Sequence, residues 1–477
     1  MLFNSFAFVI FLPLVFAVHW GIAASHVRLQ NLVIVVASSV FYGWWDVRFL
    51  SLLLLSSAMD FTLGLLLERE QRQSHRKRLI VLSVVLNLGI LATFKYFNFF
   101  VDSFAALLET IGLQANVPTL RIILPVGISF YTFQSLSYTI DVYRRKLPAT
   151  RDPLAYFAFV SFFPQLVAGP IERATKLLPQ FYVPRVFVAH AAVEGLRQAL
   201  WGMAKKVVVA DNLAPHVNSI FQNSGSLDGV VLAWGAALFT VQVYCDFSGY
   251  SDIAVGTAKL FGVELSQNFR YPFFSTNIVE FWRRWHISLS TWFRDYVYFP
   301  LGGSRGSGKA TARNVMATFC LSGFWHGAEW RYVIWGFMHG VYFLGWWSLL
   351  RSTREEQPVR SEPRFLPRPM ELAGMVATFA ALALSLVVFR AESLEHAYLY
   401  LSRALTHPIE PIEARSGVAL AYVFPLVAVE WTQRHREHGL DVKHLFVAAR
   451  WATYLATALA IIEFGNFGEL EFIYFQF

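Results

Sequence analysis

The sequence predicts an all-α protein that crosses a membrane many times, and three observations lead to this fold class. Charged residues make up 15% of the 477 residues and hydrophobic residues 56%, whereas a soluble domain has about 25% charged residues. The apolar residues lie in long blocks, such as 79–94 and 375–389, separated by charged or turn-forming segments. A helix needs about 17–25 such residues to cross a bilayer core. The composition therefore excludes a soluble enzyme, a disordered chain and a fibrous repeat.

The first part of the chain and its last part divide into apolar blocks with the length of single membrane spans. The first block has no basic residue before it, so we interpret it as a retained helix rather than a signal peptide, although residues 23–25 resemble a cleavage site. The predicted spans are 3–22, 31–44, 49–67, 79–96, 122–140, 372–389, 418–431 and 452–464.

Clusters of Lys and Arg predict which loops face the cytoplasm, because short cytoplasmic loops of membrane proteins are rich in these residues. Four clusters lie at residues 69–78, 144–146, 351–368 and 434–443. Placing all four in the cytoplasm makes the spans alternate consistently and puts both chain termini outside it. The basic residues form no aromatic-interleaved patch, so we expect no nucleic acid partner.

The middle of the chain, between residues 151 and 351, does not divide into clean spans. Apolar blocks such as 156–167 and 230–243 alternate there with segments dense in Gly, Pro, Asp and Arg. Such segments cannot face lipid, so we expect them to be re-entrant, interfacial or lining a cavity. No long soluble insertion interrupts the blocks. The sequence therefore predicts one membrane domain, 1–477, with a core at 120–350, a cytoplasmic loop at 351–370 and an external tail at 469–477.

The segment from Glu280 to Asp295 is the densest cluster of chemically active side chains. At helical spacing Trp285 lies on an apolar face, Arg283 and Arg284 lie on the other side, and His286 lies on the boundary. One interpretation is an interfacial amphipathic helix anchored by Trp and Arg at headgroup depth. The other is a cationic entrance at which the two arginines attract a phosphate-bearing donor, with His286 at its inner edge.

A second candidate is His326, which ends an apolar run and is preceded by Trp325. A histidine inside a membrane needs a partner and often marks a functional site. A neutral imidazole suits proton removal from a hydroxyl, while the alternative is a core histidine bonded to a carbonyl. His339 is expected to be supporting or structural, since 13 residues along one continuous helix would separate it from His326 by about 20 Å.

Asp246 and Asp252 are acidic residues in or near the membrane, next to several hydroxyl-bearing side chains. They either orient a histidine or tie together the ends of broken helices. The sequence contains no His-Glu-x-x-His or Cys-x-x-Cys motif, so no metal site is predicted. Cys245 and Cys320 are both expected to be free thiols.

The chain ends in the aromatic run Phe472-Ile-Tyr-Phe-Gln-Phe477. Its composition fits an interfacial anchor. The functional alternative is that the Tyr474 phenol, on a mobile end, enters a cavity, accepts an acyl group and delivers it outward.

Several motifs resemble one known family. The stretches Phe281–Trp292 and Phe324–Gly327 resemble the two histidine motifs of the membrane-bound O-acyltransferases. Further stretches are similar to the alginate and peptidoglycan O-acetylation branch of that family: Met1–Phe6, Leu124–Tyr131, Phe163–Pro170, Asp246–Asp252 and Phe472–Phe477. The resemblance runs from the first residue to the last.

The resemblance implies about eleven transmembrane helices with re-entrant segments around a tunnel. It implies that His326 is the catalytic histidine and that His286 occupies a position held by His or Asn. The donor would be a cytoplasmic thioester such as acetyl-coenzyme A, with no tightly bound cofactor. A separate extracytoplasmic hydrolase-like transferase would complete delivery to a polysaccharide.

We therefore predict a multi-pass protein of the bacterial inner membrane that transfers an acyl group, expected to be acetyl, to an alginate-like polymer, peptidoglycan or cellulose. His326, His286 and Tyr474 are the predicted catalytic residues. The residues predicted to bind substrate are Arg283, Arg284, Trp285, Trp325, Asp246 and Asp252. The alternatives are a transporter or channel and a non-catalytic platform of a polysaccharide-modifying complex.

Overall fold

The computed structural model describes residues 1–22, 26–113, 124–353, 365–407, 415–468 and 472–473, and this part of the chain contains helices but no β-strand. Parts of four predicted features lie outside the described residues. They are the cleavage-like residues 23–25, the first two residues of the predicted span 122–140, residues 354–364 of the predicted cytoplasmic loop, and the tail residues 469–471 and 474–477, which include Tyr474.

The chain forms two compact units. Unit 1 comprises Met1–Gly195 and Thr257–Ser266, and unit 2 comprises Leu196–Gly256 and Gln267–Phe477. The single membrane domain expected from the sequence stays a prediction.

Unit 1 is built on nine α-helices, several of which begin at a side-chain cap. Ser5 accepts a hydrogen bond from the Phe8 amide, and Asp152 accepts from the Leu154 and Ala155 amides, which satisfies N–H groups that the first helical turn leaves unpaired. The helices are α1 Phe6–Gly21, α2 Val27–Gly43, α3 Val47–Arg69, α4 Gln73–Leu91, α5 Phe97–Thr110, α6 Ile128–Tyr143, α7 Pro153–Ser161, α8 Phe163–Leu166 and α9 Ala174–Leu177, with a π-helical stretch at Ala92–Tyr96 between α4 and α5.

Unit 2 holds most or all of eleven further α-helices. They are α10 Ala189–Met203, α11 Asp211–Gln222, α12 Gly229–Leu260, α13 Ile278–Arg284, α14 Ile287–Phe293, α15 Gly308–His326, α16 Trp330–Thr353, α17 Pro369–Arg390, α18 Leu394–Thr406, α19 Arg415–Gln433 and α20 Val447–Phe464. Two π-helical stretches, Ala204–Ala210 and Arg294–Tyr298, follow α10 and α14.

Five helical segments among the described residues are long and apolar enough to cross a membrane: Val47–Arg69, Gln73–Thr110, Gly229–Leu260, Pro369–Arg390 and Val447–Phe464. Three shorter apolar helices are Phe6–Gly21, Val27–Gly43 and Val418–Gln433. Seven of these eight segments correspond to the spans predicted outside the middle of the chain. The all-α polytopic fold class is confirmed, while the number of eleven transmembrane helices stays a prediction.

Helix α12 continues through Asp246 and Asp252, so the helix is not broken at these residues as one of the two interpretations of them supposed. Gly249 lies between them and permits a close helix crossing rather than a break. A Cβ at Gly249 would lie 2.7 Å from the Gly202 carbonyl oxygen, and a Cβ at Gly202 would lie 2.5 Å from the Gly249 carbonyl oxygen. Backbone therefore packs on backbone, which brings the residues after Gly202 against α12.

Helices α15 and α16 also approach each other at glycines. A Cβ at Gly323 would lie 2.1 Å from the Tyr332 carbonyl oxygen, and one at Gly336 would lie 2.3 Å from the Phe319 carbonyl oxygen. Between them the chain turns back at Gly327, an extended residue that ends α15. The assumption of one continuous helix from His326 to His339 is therefore wrong, and the two histidines lie on paired helices.

Candidate active site

His326 is the last residue of α15 and is buried among aromatic rings. Its ring centroid lies 5.0 Å from that of Trp325, 5.1 Å from that of Trp335 and 5.5 Å from that of Phe389. These apolar walls keep the local dielectric constant low, which strengthens any hydrogen bond or charge interaction that the imidazole makes.

His286 lies between α13 and α14, where the backbone turns. It adopts the left-handed conformation, with φ 40° and ψ 54°, which is uncommon for a residue other than glycine and is found preferentially at functional sites. Asn268 holds this turn by accepting the Ile287 amide at its carbonyl and the Ser288 hydroxyl at its side chain, at 2.9 and 2.6 Å. The geometry of His286 is thus imposed by its surroundings.

The same turn corrects the prediction of one amphipathic helix from Glu280 to Asp295, because two short helices replace it. Arg283 is exposed, and Arg284 forms an ion pair of 2.5 Å with Glu280. Trp285 stacks on Phe281 with ring centroids 5.3 Å apart, so it packs into the aromatic core of unit 2.

The structure brings the two predicted histidines together. The ring centroids of His286 and His326 are 6.5 Å apart, and Trp325 contacts both rings. His286 is 1% exposed, and burial lowers its pKa to about 3. His286 is therefore neutral near pH 7, and a neutral imidazole can donate one hydrogen bond and accept another.

His339 occupies a different position beside the same tryptophan. Its ring lies 4.6 Å from Trp335, and its Nε2 atom lies 3.0 Å from the Ser385 hydroxyl. This hydrogen bond gives the buried ring a partner within the helix bundle. The expectation that His339 has a structural role fits this geometry.

Asp246 and Asp252 face lysines that the sequence interpretation did not single out. The Lys206 ammonium lies 2.6 Å from Asp246 and 2.8 Å from Asp211, while the Lys205 ammonium lies 2.7 Å from Asp252. All of these lysine and aspartate side chains are at most 19% exposed. Two adjacent lysines in the apolar run 199–210 were the signal that could have revealed these ion pairs, since buried charges require partners.

A cavity of about 20 Å³ lies beside Asp252 in unit 2. Its lining includes Lys205, Asp252, Glu430, Tyr244 and Asn268. Such a volume holds about one water molecule. Within the described parts of the chain, no three His, Cys, Asp or Glu side chains lie close enough together to hold a metal ion.

The described part of the tail, Phe472 and Ile473, is buried in unit 2. The Phe472 ring lies 4.8 Å from Tyr250 and 5.8 Å from Phe247, and the Phe247 ring lies 4.6 Å from His286. The Phe247 ring therefore contacts both Phe472 and His286. Tyr474, the next residue of the chain, lies outside the described residues.

Comparisons with known proteins show the family to which the chain belongs. A family model described as the membrane-bound O-acyltransferase family matches residues 39–367, a range that contains both histidines. A probable alginate O-acetylase AlgI of Azotobacter vinelandii is 42% identical over 401 residues, which cover 83% of this chain and 77% of the relative.

Two relatives with other acceptors also match. The peptidoglycan O-acetyltransferase of Helicobacter pylori is 34% identical, with 83% of this chain and 78% of the relative covered. The teichoic acid D-alanyltransferase of Streptococcus thermophilus is 26% identical, with 61% and 75% covered. The predicted family and the predicted enzyme class, a membrane-bound O-acyltransferase, are confirmed. The chain belongs to the membrane-bound O-acyltransferase family.

Proposed function

We propose that this protein takes an acetyl group from a cytoplasmic thioester, such as acetyl-coenzyme A, and passes it outward for O-acetylation of an alginate-like polysaccharide. The observation that carries the proposal is the buried pair His286 and His326, with ring centroids 6.5 Å apart. The 42% identity to a probable alginate O-acetylase supports the acetyl group and the acceptor class.

In the proposed reaction, His326 acts as general base on the Tyr474 phenol. The phenol proton moves to the imidazole, and the phenolic oxygen attacks the thioester carbonyl carbon. The tetrahedral intermediate collapses as the carbon–sulfur bond breaks, and the imidazolium returns the proton to the departing thiolate. The products are a Tyr474 ester and a free thiol, so atoms and charges balance.

His286 has a different role in this mechanism. A neutral imidazole beside the reacting carbonyl can donate a hydrogen bond to the oxygen that becomes negative in the intermediate. Its burial and its fixed left-handed backbone suit a preorganised donor, because no reorientation is needed when the charge develops.

The buried position of Phe472 and Ile473 supports Tyr474 as the acyl carrier, because the Phe247 ring contacts both the Phe472 ring and the His286 ring. A separate hydrolase-like transferase outside the inner membrane would take the acetyl group from Tyr474 to the polymer. With both termini outside the cytoplasm, the tail is on the side where such a partner acts. The exposed Arg283 is the residue of the predicted cationic entrance that is free to meet a phosphate-bearing donor.

Labelled acetyl transfer by membranes that contain the protein tests the assignment of His326. His326→Ala is expected to lower transfer by about 10²- to 10⁴-fold, the usual contribution of a general base. The matched control is His339→Gln, which alters a second buried histidine beside Trp335 and is expected to keep transfer near the wild-type rate. Wild-type transfer by His326→Ala protein at equal membrane abundance would contradict the proposal.

Peptidoglycan is the second candidate acceptor, because the Helicobacter pylori relative is 34% identical over 83% of this chain. Cells that express the protein with its transferase partner can be given labelled acetyl donor and fractionated. Label in the alginate fraction supports the first acceptor, and label in the peptidoglycan fraction supports the second.

A further inference from the structure

The tail is attached to unit 2 by a hydrogen bond between its backbone and a buried ion cluster. The Ile473 amide donates to Asp246 Oδ2 at 2.8 Å. The other oxygen of Asp246 lies 2.6 Å from the Lys206 ammonium, which also bonds Asp211 at 2.8 Å. The three charged side chains are 4–6% exposed. The Asp246 carboxylate thus accepts a hydrogen bond from the tail amide at a buried position, where water does not compete for the bond.

The residues that end α20 and lead into the tail are also bound by hydrogen bonds to unit 2. After α20 ends, the Asn466 amide donates to the Val207 carbonyl at 2.9 Å, and the Asn466 side chain donates to the Asp211 carbonyl at 3.2 Å. The Asn212 side chain donates to the Phe464 carbonyl at 2.7 Å. Phe464 and Asn466 therefore bind the π-helical stretch Ala204–Ala210 and the two residues after it, while Ile473 binds Asp246, the partner of Lys206 in that stretch.

The position of the hydrogen bond sets the register of the tail. Ile473 directly precedes Tyr474, and its amide is the group that Asp246 binds. Phe472, on the other side, packs against Phe247 and Tyr250. If the tail shifted by one residue, a different side chain would follow the amide that Asp246 binds. The hydrogen bond to the Ile473 amide therefore determines which residue of the tail can be directed at the histidines.

We propose that Asp246, held by Lys206, is a positioning residue that docks the acyl-carrying tail by its Ile473 amide. The proposal rests on the proposed role of Tyr474 as carrier. Asp246 takes no part in proton or acyl transfer. It fixes the segment in the register in which Tyr474 is presented to His326.

Two substitutions break the bond from opposite sides. Asp246→Leu removes the acceptor and leaves Lys206 paired with Asp211. Ile473→Pro removes the N–H and leaves the ion cluster intact, and Ile473→Val is its matched control because it keeps the N–H. Asp252→Asn is the control for losing a buried ion pair on the same helix without touching the tail.

Hydrogen–deuterium exchange of peptide 465–477, measured on the full-length protein in lipid nanodiscs, shows directly whether the tail is docked on unit 2. We expect Asp246→Leu and Ile473→Pro each to speed exchange of this peptide by on the order of tenfold, and the double variant to add little because both remove one bond. Ile473→Val and Asp252→Asn are expected to keep the wild-type exchange of this peptide. Wild-type exchange in both test variants would overturn the proposal.

Acetylation of Tyr474 is then measured on the same samples. Both test variants are expected to lower kcat by about 10- to 100-fold with an unchanged KM for the donor, because misplacement of a reacting group acts on the chemical step. Faster exchange of the peptide with wild-type acetylation of Tyr474 would overturn the positioning role of Asp246, whereas absence of label at Tyr474 in the wild-type protein would overturn its role as carrier. If Asp246→Leu fails to fold, Ile473→Pro decides the test alone, since it leaves the ion cluster of Asp246, Lys206 and Asp211 in place; Ile473→Ala, which loses buried side-chain volume but keeps the N–H, is then the control for lost packing.

Discussion

Asp60 in unit 1 and Asp246 in unit 2 are both buried carboxylates on helices of membrane-spanning length, but their partners differ. Asp60 accepts hydrogen bonds from the Ser83 hydroxyl at 2.8 Å and from the Asn87 amide at 2.9 Å, which are neutral donors on the next helix. Asp246 bonds the charged Lys206 and, in addition, the backbone amide of Ile473. No ion pair of Asp60 is found within the described part of the chain.

Their different partners indicate that the two buried acids have different roles. The hydrogen bonds of Asp60 join its own helix, α3, to the next helix, α4. These two helices already pack against each other. The hydrogen bond of Asp246 to Ile473 reaches a segment more than 200 residues away, which also packs on α12 through Phe472. We therefore expect substitutions around Asp60 to change the stability of the protein, and substitutions around Asp246 and the tail to change its activity.

The largest effect is expected from removing one oxygen atom in the tail. Tyr474→Phe keeps the aromatic ring but deletes the proposed acyl acceptor, so acetyl transfer should fall to background while the unfolding temperature stays at the wild-type value. Undiminished transfer of label by purified membranes would leave Tyr474 with an anchoring role only.

Tyr138→Phe in unit 1 is the matched control for this loss of a phenol. The Tyr138 oxygen accepts a hydrogen bond from the Thr150 amide at 3.1 Å. Its removal leaves a buried N–H unpaired, which should lower the free energy of unfolding by about 1–3 kcal/mol. Transfer per folded molecule should be unchanged, so the two Tyr→Phe variants should have opposite effects.

A smaller effect on transfer is expected when the helix crossing in unit 2 is forced apart. Gly249→Ala places a Cβ 2.7 Å from the Gly202 carbonyl oxygen and 3.0 Å from the Lys206 amide, and backbone atoms cannot rotate away. Overpacking of this kind costs about 1–3 kcal/mol, and it should displace Lys206 from Asp246. Both the unfolding temperature and acetyl transfer are expected to fall.

Gly345→Ala is the control for a helical glycine, because no atom outside its own helix lies within 4 Å of the added Cβ. It should leave transfer unchanged and stabilise the helix by about 0.5–1 kcal/mol. Equal thermal unfolding curves for Gly249→Ala and wild-type protein would show that the crossing tolerates the methyl group.

The smallest effect on function is expected at Asp60. Asp60→Asn keeps one oxygen to accept from Ser83 but turns an amide donor towards Asn87, which already donates. The free energy of unfolding should fall by about 1 kcal/mol, and acetyl transfer per folded molecule should match that of the wild type. Loss of transfer at normal stability would show that the comparison between the two acids is mistaken.

The predicted spans agree with the observed helices to within a few residues at most ends. The predicted span 372–389 corresponds to Pro369–Arg390, and 452–464 corresponds to Val447–Phe464. Hydropathy succeeds here because the length of an apolar block is a local property that the bilayer thickness fixes. It left two interpretations open at Asp246–Asp252, where the structure shows an unbroken helix and a helix crossing at Gly249.

The break at His286 could not be predicted from the helical spacing of apolar and charged residues between Glu280 and Asp295. That spacing fits one amphipathic helix, but Asn268 accepts hydrogen bonds from Ile287 and Ser288 and holds the turn. Asn268 is distant in sequence from the residues that it binds. A pattern within one segment contains no information about such a partner.

Composition, block length and short motifs are local properties, and they were sufficient to predict the membrane class of this protein, its family and the candidates His286 and His326. The tertiary structure decided which of these residues meet. The two histidines lie 40 positions apart, yet their rings come within 6.5 Å, and Asp246 binds Lys206 and the tail amide of Ile473. These contacts depend on which helices cross and on the glycines at which they cross. The crossings are established only when the whole chain has folded and its helices have packed.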